Sequence, residues 1–100
     1  MRHRLLSLGL RPNGLGPNRR GYAVGRRIGP AVVRNRVRRR LREILRALTL
    51  TPGFDLVLTP GPQAVHATFD DLCEAVHYCA ARANLLFPSP TKTQNITKTT

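Results

Sequence analysis

Two hydrophobic periods alternate along this chain. "HRLLSLGL" (3–10) sets apolar against polar or small positions and predicts a strand. "RPNGLGPN" (11–18) is a turn-rich connection, and "RGYAVG" (20–25) predicts a returning strand, so the two should form an antiparallel hairpin. "RRIGP" breaks the pattern, with Pro30 suited to the first turn of a helix. From about Ala31 to Leu48 the period becomes helical, with Val33, Val37, Leu41, Ile44, Leu45 and Leu48 on one stripe. Asn35, Arg36, Arg38, Arg39, Arg42 and Arg46 fall on the other side. After "TPG" (51–53), "FDLVLTP" (54–60) has the composition of a short buried strand. Thr68 then suits the N-cap of a second helix, with Asp70 and Asp71 in its positive first turn. Phe69, Leu72, Cys73, Val76, Ala80, Ala83 and Phe87 follow helical spacing along it.

The order strand, strand, helix, strand, helix predicts an α+β fold, a small sheet packed with helices. Residues 1–87 should make one domain, and the Thr-rich, aperiodic tail at 88–100 should be disordered. The connection from residue 25 through the first helix to residue 54 has the form of a crossover between parallel strands.

Charge changes the picture. Residues 1–46 carry fourteen arginines and one acid, Glu43, for a net +13, whereas residues 47–100 carry three bases and four acids, a net −1. A solvated face normally mixes signs to avoid self-repulsion. Here the polar side of the first helix is almost all one sign, and Arg26 and Arg27 extend it into the preceding loop. A phosphate-rich partner fits best, and the planar arginine fork suits phosphate oxygens and base edges. An anionic membrane is the competing surface, but the apolar stripe is needed for the sheet and the chain has no tryptophan. No window is long or apolar enough to span a bilayer, and we expect a cytoplasmic protein with reduced thiols.

Catalytic groupings are weak. His3, His66 and His77 are scattered, and Cys73 and His77 share a helix face without the further ligands a structural zinc site needs. Cys73 and Cys79 point to different faces and should not pair. "GRRIG" lacks the Lys-Ser/Thr ending of a nucleotide phosphate loop. We therefore assign no catalytic residue, no metal ligand and no cofactor to the protein itself.

The stretch "VGRRIGPAVVRNRVRRRLRE" (24–43) resembles the signature of the protein subunit of bacterial ribonuclease P. In that signature a strand ends in paired basic residues, followed by Gly-x-Ala-Val, Arg-Asn-Arg, Lys/Arg-Arg and Arg-Glu. "RRGYAV", "GFDLVLTPGP" and "TFDDLCEAV" resemble the flanking elements, so the resemblance covers about residues 3–87. It implies a ribonuclease P protein-like fold (ribosomal protein S5 domain 2-like) with a left-handed βαβ crossover. It also implies a partnership with the large catalytic RNA, which uses bound Mg²⁺ to remove the 5′ leader of precursor tRNA. The RNA-binding residues it implies are Arg26, Arg27, Arg34, Asn35, Arg36, Arg38, Arg39, Arg40, Arg42 and Arg46. The family normally begins with a helix ahead of the first strand that helps bind the leader, and we expect this chain to lack it. Tyr22 and Phe54 remain as aromatic residues for leader contact, with core packing the competing role for each.

Two other functions compete. One is a non-enzymic, ribosome-associated RNA-binding protein. The other is a DNA-binding module, disfavoured because no short helix-turn-helix pairing precedes the arginine helix.

Overall fold

The computed structural model of the protein describes residues 1–86. Phe87 and the tail at 88–100 lie outside the described residues. Three strands, β1 (Leu6–Pro12), β2 (Arg19–Tyr22) and β3 (Phe54–Pro60), form one sheet, and two helices, α1 (Ala31–Arg46) and α2 (Phe69–Arg82), supply the other layer. Short 3-10 turns at Arg26–Ile28 and Pro62–His66 lead towards the helices.

The sheet order is β1-β3-β2, so the expected hairpin does not form. β3 lies between the two early strands, antiparallel to β1 and parallel to β2. The parallel crossover through α1 is as expected. Period-two patterning says which side of a strand is buried but not which strand lies beside it. The "PNG" turn signal instead opens a wider loop that arches over the chain entering β3. Asn13 N–H donates to the Gly53 carbonyl at 3.0 Å, and Asn18 Nδ2 donates to the Thr51 carbonyl at 3.0 Å. Asn18 Oδ1 in turn accepts from Phe54 N–H at 2.8 Å.

Asp55 ties the three strands together on the side of the sheet away from the helices. Arg19 donates to both of its oxygens at 2.8 and 2.7 Å, Asn13 Nδ2 adds 3.1 Å, and Arg11 stands 3.8 Å away. The Arg19 and Asn13 hydrogen bonds hold the Asp55 carboxyl down at about 2.

Leu6 and Leu8 of β1 and Leu56 and Leu58 of β3 face the helices and are buried. They meet Val37, Leu41, Ile44 and Leu45 from α1 and Leu72, Ala75, Val76, Cys79 and Ala80 from α2 in one apolar cluster. α1 ends at Arg46, two residues earlier than expected. The α2 stripe also shifts: Phe69 is exposed, Cys73 and Ala83 are half-buried, and Cys79 is fully buried. Both cysteines are free, and burial pushes both thiols up, with Asp70 adding to the effect at Cys73. Residues 1–5 are not helical, and they double back along β1, where Leu8 N–H donates to the Met1 carbonyl at 2.7 Å.

Candidate nucleic-acid interface

The interface begins in the connection from β2 to α1. Ile28 is buried and anchors the 3-10 turn that carries Arg26 and Arg27 outward. Gly29 follows with φ 139°, and a Cβ there would meet the Val33 side chain at 3.5 Å. Only glycine holds that backbone without strain. Pro30 then occupies the N-cap in extended conformation, one position before the first-turn site expected for it. It brings no side-chain cap, and the first turn of α1 holds no acidic residue. The first N–H groups of α1 are therefore left without a capping side chain at the positive end of the helix dipole.

The helix sorts its residues by angle. Val37, Leu41, Ile44 and Leu45 are buried. Asn35, Arg36, Arg39, Arg42 and Arg46 are exposed, as are Arg26 and Arg27 in the loop. Arg38 and Arg40 flank the core and are half-buried. Arg34 is half-buried for a different reason. It precedes Leu41 by seven residues, close to two full turns, which places it on the inner side near the helix start. Its Nε is sequestered and has no hydrogen-bond partner.

No arginine of α1 pairs with an acid among the described residues, where the ion pairs gather on Asp55. Arg38 Nη1 instead donates to Asn35 Oδ1 at 2.8 Å. Val32, Asn35, Arg36, Arg38, Arg39 and Arg42 line a shallow concavity of about 540 Å³ on the outer side of the helix. The structure thus brings Asn35, Arg36, Arg38, Arg39 and Arg42 together on the outer side of α1, with Arg26 and Arg27 exposed in the loop before it and Arg34 turned inward.

The two aromatic residues sit differently. Tyr22 and Phe54 are half-buried and pack against the apolar cluster on the helix side of the sheet. The Arg42 guanidinium lies 5.9 Å from the Tyr22 ring centroid, within cation–π reach. Burial pushes the Tyr22 hydroxyl up, while Arg20, Arg42 and Arg46 pull it down. Tyr22 thus sits at the seam where the basic surface meets β2, whereas Phe54 is seated beside Asn18 at the start of β3.

Two arginines outside the predicted set join this region. Arg20 reaches the surroundings of Tyr22. Arg2 and Arg27 line a larger depression of about 790 Å³, with Ser7, Thr59 and apolar side chains between the strand ends and the first 3-10 turn. Their charge was visible in the sequence, but their position depends on β3 entering between β1 and β2. Cys73 is half-buried and His77 exposed, and no group of three or more metal-binding side chains gathers among the described residues. Among those residues no helix is long and apolar enough to cross a membrane.

Comparison with known proteins bears on this surface. The sequence pattern of the ribonuclease P family matches residues 1–84. The ribonuclease P protein component of Caldanaerobacter subterraneus subsp. tengcongensis is 45% identical over 67 residues, covering 65% of this chain and 58% of that one. The chain spans little more than half the length of the curated relatives it first matches. Among solved structures, the RNase P protein of Thermotoga maritima superposes with a TM-score of 0.70 at 27% identity, covering 78% of this chain and 76% of the other. The Staphylococcus aureus RNase P protein shares the fold, with a TM-score of 0.77 at 19% identity, covering 86% and 81%. The match over nearly all the described residues, in sequence pattern and in fold, shows that this chain belongs to the ribonuclease P protein family.

Proposed function

We propose that this chain acts as the protein subunit of ribonuclease P in the cytoplasm, binding the catalytic RNA and assisting removal of the 5′ leader from precursor tRNA. The observation that carries the reading is the set of α1 arginines without an acidic partner. A helix that presents Arg36, Arg39, Arg42 and Arg46 outward without pairing them repels itself unless an anion is bound. An RNA backbone supplies phosphates along that line, and contacts of this kind fix position without reading sequence. Arg26 and Arg27 add two forks beside the uncapped helix start, where the dipole also favours an anion.

In this reading the protein's residues bind and orient, and they do not break the bond. The phosphodiester hydrolysis belongs to the RNA subunit with its own Mg²⁺. Folded RNA is recognised by shape more than by sequence, which suits a clamp of arginines on a rigid helix. Tyr22, half-exposed at the α1–β2 seam beneath Arg42, is the aromatic side chain available to a single-stranded leader. Phe54 serves core packing.

The test is reconstitution of the full chain with the ribonuclease P RNA of the same organism and a 5′-extended precursor tRNA at low Mg²⁺. The protein should raise cleavage at the mature 5′ end, and RNA-free protein should cut nothing. An unchanged rate together with recovery of ribosomal RNA on the protein would assign it to the ribosome-associated class.

A further inference from the structure

Val32 is the most exposed of the large apolar side chains among the described residues, at 77%. It stands nine residues before Leu41, which at about 100° per residue puts it about 180° away, directly opposite the core. A single exposed valine needs no explanation on an ordinary surface. This one lies in the basic concavity, with Asn35, Arg36 and Arg39 following it at three, four and seven residues on the same ridge. It contributes nothing to the apolar cluster, and a β-branched residue is a weaker helix former than the arginines around it. Neither packing nor helix propensity explains it.

Its neighbour explains more. Arg38 Nη1 occupies Asn35 Oδ1 at 2.8 Å, which fixes the amide and leaves Nδ2 to donate outward. Val32 and Asn35 therefore combine an apolar platform with an oriented donor one helical turn away. Arginine forks on either side attract phosphate. From this geometry we infer that Val32 seats the face of an unstacked nucleobase of the bound RNA, with Asn35 Nδ2 donating to an acceptor on that base's edge. Unstacked bases in loops and bulges are the features of RNA that side chains read directly. The inference rests on the RNA-binding reading above and adds a salt-insensitive contact to it.

The experiment measures affinity of the full chain for the ribonuclease P RNA of the same organism across a salt series. Wild type is compared with Val32→Ala, Val32→Ser and Arg39→Ala. Losing the apolar contact should weaken binding roughly tenfold for Val32→Ala and Val32→Ser at every salt concentration, with the salt slope unchanged. Arg39→Ala should instead lower the slope by about one. Alanine favours helix more than valine, so Val32→Ala should melt no lower than wild type, which separates lost contact from lost fold. Wild-type affinity in Val32→Ala would overturn the inference and leave the RNA-binding reading standing. A changed salt slope in the Val32 variants would also overturn it, because the residue would then be acting through charge placement. Failure of wild type to bind this RNA would overturn both.

Discussion

α1 and α2 are similar in length, sixteen and fourteen residues, and bury their inner faces in the same apolar cluster. Their outer faces and N-termini differ. Thr68 Oγ1 accepts from Asp71 N–H at 3.0 Å, and Asp71 Oδ2 accepts from Thr68 N–H at 3.3 Å, closing a capping box. Asp70 and Asp71 also meet the positive end of the α2 dipole. α1 has neither device, and its only acid, Glu43, lies beyond the middle of the helix. α2 caps its N-terminus with its own side chains. α1 is held by its inner face, and among the described residues its outward arginines have no acidic partner and its first N–H groups no capping side chain. The difference teaches that α1 separates packing and unpaired charge onto opposite sides of one helix, which under the proposed function divides stability from RNA binding, while α2 turns its N-terminal polar groups on itself.

The largest test of that division is salt. If α1 and the loop arginines neutralise six to ten phosphates, affinity for the catalytic RNA should fall by about 10³–10⁵ between 50 and 200 mM salt. Filter binding across that range measures it. A flat response would mean that α1 does not differ from α2 as a phosphate surface.

The inner faces should look alike. Leu41 of α1 and Leu72 of α2 are both fully buried. Replacing either with alanine should cost about 2–5 kcal/mol, read by urea unfolding. A much smaller loss at Leu41 would show that α1 is not anchored by its stripe. Its binding surface would then be less rigid than the structure indicates.

How far this contrast could be read from sequence depends on the kind of signal. The α1 stripe of Val37, Leu41, Ile44 and Leu45, the arginines opposite it and the Thr68 cap were legible, because each depends on residues within a few positions of one another. β3 was also legible with its observed bounds, from a short apolar run between turn signals. The neighbour of β2 was not. A six-residue Asn- and Gly-containing loop reads as a hairpin turn, and only the Asn13 and Asn18 bonds to residues 51–55 reveal that it bridges across another strand. Arg34 shows the same limit within the site. The motif singled it out and its spacing to Leu41 already turns it inward, but the sequestering of its Nε emerges only when the helix is packed. Cys79 is the converse case, since Met1 and the neighbouring core close around a thiol that spacing left outside the stripe.

The outer faces should differ at the level of single charges. Arg36 is exposed on α1, whereas Arg82 ends α2 with its guanidinium 5.7 Å from the Tyr78 ring centroid. Arg36→Ala should cost about 1–3 kcal/mol of RNA affinity, as a charge-assisted contact does. Arg82→Ala removes the same charge and should leave affinity nearly unchanged. Equal losses at one salt concentration, with folding checked by circular dichroism, would mean that only bulk charge counts and that the two helices are not distinct surfaces.

The smallest effect sharpens the comparison at the helix ends. Thr68→Ala removes one half of the α2 capping box: the Asp71 N–H loses the Thr68 Oγ1 acceptor, while the backbone N–H at position 68 can still donate to Asp71 Oδ2. The loss should be about 1 kcal/mol of stability. The site is exposed, so the freed Asp71 N–H turns to water and the cost stays at that level. RNA affinity should not change, since α2 offers its start to its own side chains. Thermal unfolding and RNA titration on the same sample separate the two readouts. A fall in RNA affinity larger than the fall in stability would place the start of α2 at the RNA, and the assignment of binding to α1 and its preceding loop would have to be redrawn to include it.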